Sequence, residues 1–183
     1  MGEIRVFAPG GYRFINAVFQ YSGGVAAEPG HRIVRARLPR PLPLSEGWLV
    51  VEQTLRRAGR PLTSFCACEL RSPAPFTEDG FRAFNEIYVG TLRKWGAMTG
   101  DTNPVARSNV CPEIDPPAEP SFHAFCYTRA AGGEVAPTFV VAGSGEAVEG
   151  KGNYRDHTVR PGETSADAIR EKAQYVLGEM ERR

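Results

Sequence analysis

A chain of 183 residues, 42% hydrophobic and 23% charged, has the composition of an ordinary globular protein and fits one domain, since domains cluster around ~100–150 residues. Its net charge of +1 excludes a global field drawing it to nucleic acid or an anionic membrane, so recognition is expected in a pocket, with a small ligand. No apolar run approaches the ~18 residues of a membrane span. Met1-Gly2-Glu3-Ile4-Arg5-Val6 has no basic region leading into an apolar one, and Cys66, Cys68, Cys111 and Cys126 show no framework spacing. The expectation is a cytoplasmic protein with reduced thiols.

In chain order, Phe14 to Tyr21 is the first predicted strand, running into Ser22-Gly23-Gly24, where two glycines allow a tight turn or a close backbone approach. Gly24 to Ala27 is a second short strand, ended by Glu28-Pro29-Gly30. Arg32 to Arg37 alternates charged and apolar residues and reads as a solvated edge strand. Ser45 is placed to cap a helix in which Trp48, Val51, Leu55 and Ala58 recur at helical spacing, and Gly59 with Pro61 stops it. Leu62 to Leu70 reads as a buried strand. A second helix starts after Thr77, with Glu78 and Asp79 suiting its dipole and Phe81, Phe84, Tyr88, Leu92 and Trp95 forming its apolar stripe. Val105 to Cys111 and Phe122 to Arg129 are strands on either side of a proline-rich turn, Thr138 to Ala142 is another, and a last helix spans roughly Ser165 to Glu181. Its apolar face is predicted to be Ile169, Ala173, Val176, Leu177 and Met180. Strands and helices mixed in this order predict an α+β domain over 1–183, one mixed sheet with helices on a single face.

Several chemistries fail on the residues. Cys66 and Cys68 are predicted to share a strand face, but no second Cys/His pair accompanies them, and His31, His123 and His157 are scattered; no metal site is expected. Gly145 to Gly152 matches a phosphate loop except that Gly152 stands where Ser or Thr would hold magnesium, and Glu146 and Glu149 would face the phosphates. Tyr154-Arg155-Asp156-His157 is a polar cluster that a solvated loop explains.

Asn103-Pro104-Val105-Ala106-Arg107-Ser108-Asn109-Val110 resembles, with one inserted Val, the Pro-Ala-Arg-Ser/Thr signature of the Rid (YjgF) family. Tyr21-Ser22-Gly23-Gly24 resembles that family's Ser-Gly-Gln strand end, Ala58-Gly59 its helix stop, and Phe84-Asn85-Glu86-Ile87-Tyr88 its helix motif, in the same order. The resemblance covers about residues 14–129, leaving about 130–183 as a C-terminal extension with an extra strand and helix.

The resemblance implies a chorismate-mutase-like fold, a homotrimer with sites at subunit interfaces, and hydrolytic deamination of a carboxylate-bearing imine or enamine without a cofactor. It places the substrate's carboxylate on Arg107, whose planar fork matches a carboxylate bidentately as lysine cannot. A backbone amide near Gly23 would supplement it, with Asn109 and Tyr88 lining the same site. The family's water-orienting glutamate falls on Phe122, counting from Arg107, or on His123 with a one-residue gap, so Glu113, Glu119 and His123 are the acid/base candidates. The missing glutamate keeps open a non-catalytic, regulatory protein that binds a small carboxylate. Near-zero charge and the lack of an aromatic and basic platform count against RNA.

Overall fold

The computed structural model describes residues 2–133, 135–148, 151 and 154–182. It has the α+β architecture that the resemblance implies, compatible with a chorismate-mutase-like fold. The strands are β1 (Ile4–Phe7), β2 (Tyr12–Ile15), β3 (Gly24–Ala27), β4 (His31–Pro43), β5 (Phe65–Arg71), β6 (Ala106–Val110), β7 (Ser121–Ala130) and β8 (Phe139–Val141), with helices α1 (Leu44–Arg57), α2 (Glu78–Lys94) and α3 (Ala166–Glu181). By packing, Gly2–Ala142 and Gly143–Arg183 form separate compact units. The division falls after β8 rather than near residue 130, because β8 hydrogen-bonds to β3 and extends its sheet.

The strands form two four-stranded sets, β1-β2-β3-β8 and β4-β7-β5-β6, joined where Ser22 bridges Ala106 and donates its amide to Val105. The second set is mixed, since β5 and β6 run parallel while β7 is antiparallel to β4 and β5. Its edge strand β4 carries Pro39, Pro41 and Pro43, where missing amides weaken no central ladder. Helices α1 and α2 cover one face: Trp48, Val51, Leu55, Phe84, Tyr88 and Leu92 pack on Phe65, Leu70, Phe122 and Phe125. On the other face Tyr12, Phe14 and Val25 of the first set meet Cys66, Ala67, Ala106 and Cys126.

Helix α2 begins as its sequence requires, with Thr77 Oγ1 accepting from the Gly80 amide at 3.1 Å. Helix α1 starts one residue before Ser45 and has no side-chain cap; Pro43 stands at its N-terminus and presets the turn. It stops where Gly59 takes φ +64°. The segment Leu62–Ser64 is a 3-10 turn leading into β5 rather than strand. The strand expected over Phe14 to Tyr21 ends at Ile15, and Val18 and Tyr21 pair locally instead. In α3, capped by Ser165, Ala168 is buried while Ile169 and Leu177 are more than half exposed, so the buried edge lies one residue off the predicted face.

Cys66 and Cys68 lie on opposite faces, Cys66 with Tyr12 and Cys68 with the helices. A bulge between Phe65 and Ala67 inserts one residue, which reverses the alternation that strand spacing predicts.

Candidate active site

Arg107 is the residue around which a site is built. On β6 it pairs in parallel register with Cys68 of β5, and its side chain turns to the helix-covered face. There its guanidinium carbon lies over four rings, 4.7 Å from the centre of Tyr88, 5.4 Å from Tyr21, 5.5 Å from Phe84 and 5.9 Å from Phe81. Phe81, Phe84 and Tyr88 come from the predicted stripe of α2, and Tyr21 from the segment before β3. The residue is 4% exposed, and its Nη1 is buried with no hydrogen-bond partner among the described residues. No carboxylate among them pairs with it. A buried guanidinium with an unanswered N–H is costly, and an anionic ligand removes that cost.

Around it, Cys68 Sγ lies 3.4 Å from Tyr88 Oη. Burial pushes the Cys68 thiol up to about 12, despite lowering by its bond to Tyr88 and by the Arg107 charge. Burial likewise raises the Tyr88 phenol well above its ordinary range. Both groups are therefore neutral, and Arg107 carries the charge of the site. Asn85, one turn of α2 from Phe81 on one side and from Tyr88 on the other, is fully buried; its amide nitrogen donates to Phe81 O at 2.7 Å and its Oδ1 has no partner among the described residues. In the sequence Asn85 stood out only within a helix motif; its unmatched amide oxygen on the ring-bearing face makes it a further candidate.

The other predicted site residues are dispersed within the chain. Asn109 follows Arg107 by two positions and so shares its side of β6, where it accepts from Ser72 Oγ at 3.0 Å. The Gly23 amide itself donates to Ile15 O at 2.8 Å and its carbonyl accepts from Ala142, both within the sheet. Glu113 and Glu119 are exposed on the proline-rich turn between β6 and β7. His123 occupies the bulge of β7, where burial first, then Arg71, lowers its pKa and Glu69 opposes them. Glu69 faces away from α2 and is paired with Arg35 at 2.5 and 2.8 Å. His123 thus belongs to a charged cluster on the face opposite Arg107. Phe122, one of the two positions on which the family's glutamate is expected to fall, is fully buried beneath Trp48, ring centres 4.7 Å apart.

Among the described residues no His/Cys/Asp/Glu group is arranged to hold a metal ion, and no helix is long and apolar enough to cross a membrane. Of the phosphate-loop-like stretch, Glu149, Gly150 and Gly152 lie outside the described residues. Tyr154 to His157 is exposed, with a 3-10 turn at Arg155–His157.

Comparison with known proteins supplies the context for this arrangement. The model of the family described as 2-aminomuconate deaminase CnbZ matches residues 4–183. A 2-amino-5-chloromuconate deaminase from Comamonas testosteroni is 52% identical over 184 residues, covering 100% of this chain and 73% of that protein. No solved structure matches significantly. The match runs through the C-terminal extension as well as the core, and the chain belongs to the 2-aminomuconate deaminase CnbZ family, in keeping with the Rid-like signature around Arg107.

Proposed function

We propose that this protein is a hydrolytic deaminase of a 2-aminomuconate-type substrate, an unsaturated dicarboxylate bearing an enamine, and that Arg107 holds the carboxylate next to the amino-bearing carbon. The observation that carries this reading is the buried, unpaired Nη1 of Arg107; the family membership and the 52% identical relative support the substrate class. In the proposed reaction the enamine takes a proton on carbon and becomes an imine. Water then adds to the C=N carbon, and collapse of the adduct expels ammonia and leaves a 2-oxo dicarboxylate. The chemistry needs orientation and proton transfer, with no organic cofactor.

The acid/base group belongs to this proposal too. Glu113 and Glu119 stand on an exposed turn, and we assign the proton transfer to one of them, at the subunit interfaces of the homotrimer that the Rid resemblance implies. His123, turned to the other face, is the weakest of the three candidates.

The test is ammonia release, together with loss of the conjugated absorbance, on freshly generated 2-aminomuconate. Wild type is expected to be active and Arg107→Ala to lose at least about a hundredfold in kcat/KM, the scale of a lost charge-assisted anchor. Full activity in Arg107→Ala overturns the assignment. A wild type that binds the dicarboxylate without turnover favours the carboxylate-binding, regulatory reading, which the lack of a glutamate at both Phe122 and His123 supports.

A further inference from the structure

We infer that Tyr21, Phe81 and Phe84, with Tyr88, are the specificity-determining residues of the site, and that they select acids whose α-carbon is flat and conjugated over acids whose α-carbon is tetrahedral. The inference rests on the reading of Arg107 as the carboxylate anchor and adds what surrounds that anchor.

The four ring centres lie 4.7 to 5.9 Å from the guanidinium carbon. They arrive from two directions, three from α2 and Tyr21 from the segment before β3. With Arg107 only 4% exposed, a carboxylate reaching its fork carries its first carbons along the ring walls. A carboxylate in a bidentate pair lies in the guanidinium plane. In a 2-imino, 2-enamino or dienoic acid, conjugation keeps the next carbons in that same plane, so the chain enters edge-on and presents its π faces to the rings. A tetrahedral α-carbon instead pushes substituents out of the plane and into the ring faces.

Further support comes from the walls themselves. Phe84 is buried and stacked on Phe76, with centres 5.0 Å apart and planes 29° apart, so the wall is braced from behind. Tyr21 and Phe81 are half-buried, and Tyr21 also packs against the cluster of Tyr12, Phe14 and Val25.

The test is isothermal titration of the full chain with cis,cis-muconate and with adipate, six-carbon dicarboxylates that differ in conjugation. Wild type is expected to bind muconate about tenfold or more tighter than adipate, as stacking on two or more rings predicts. In Tyr21→Leu and Phe81→Leu, checked for folding by circular dichroism, muconate is expected to weaken towards adipate while adipate changes little. Arg107→Ala is expected to lose both ligands. Equal affinity for the two acids in wild type, no muconate binding, or a preference unchanged in both leucine variants overturns the inference. Unaltered binding of both acids by Arg107→Ala overturns the anchor instead, so the two failures are distinguishable.

Discussion

Cys68 and Tyr88 meet at 3.4 Å, Sγ to Oη, with Cys68 directly across the β5–β6 ladder from Arg107. The contact ties the helix that carries three of the site's rings to the strand beside the strand that carries the cation. Tyr88→Phe removes the hydrogen bond and keeps the ring, so it is expected to lower stability by about 1 kcal/mol while muconate affinity holds within about threefold. Tyr88→Leu removes the ring as well, and both quantities should fall. Urea unfolding beside ligand titration separates the two; a Tyr88→Phe variant that unfolds like wild type but cannot bind would show that the hydroxyl itself meets the ligand.

Buried thiols give the protein an alkaline limit. Burial raises Cys68 to about 12 and Cys126 to about 11 from an ordinary 9.0, and raises Cys66, Tyr12 and Tyr88 in the same direction. Below pH 9 these groups are protonated in both folded and unfolded chains, and their stability contribution is fully present. Above it the unfolded chain releases protons that the folded chain retains, so stability falls as pH rises towards the folded values. Thermal melts should be flat up to about pH 9 and decline beyond it. Mass spectrometry after brief native alkylation should find label on exposed Cys111 before the three buried cysteines.

Gly47 on α1 lies against the Phe122 ring, which a β-carbon would strike. Phe122 is fully buried between helix and sheet and cannot give way. Gly47→Ala is therefore expected to destabilise by about 1–3 kcal/mol, although alanine favours helix elsewhere. Thr77→Ala, which removes the cap on Gly80, is expected to cost about 1 kcal/mol. Chemical denaturation of both variants checks the order; a neutral Gly47→Ala would mean that α1 can move off the sheet.

His123 sits among Arg35, Arg37, Glu69 and Arg71, on the face opposite Arg107. His123→Ala should accordingly leave deamination within about twofold of wild type. Glu113→Gln and Glu119→Gln are the informative pair: whichever transfers the proton should lower kcat by about a hundredfold or more with KM little changed. Steady-state kinetics decide this, and a collapse of kcat in His123→Ala would return the imidazole to the role of base.

The sequence by itself determined what depends on near neighbours. The cap and apolar stripe of α2, the stop of α1 at Gly59, and the strand β3 with its following turn were legible, because helical period, capping and turn chemistry act over a few residues. Arg107, at the centre of the candidate site, stood out through a motif of adjacent residues. Tertiary structure alone decided which side each residue serves. The bulge at Cys66 turned two cysteines to opposite faces, and the bulge at His123 sits on the face away from the cation. Pairing register closed the Gly23 amide into the sheet. The ring box arose because Tyr21, α2 and β6 converge from distant parts of the chain. An aromatic stripe that reads as ordinary core becomes the wall of a site only when packing sets a buried, unpaired charge against it.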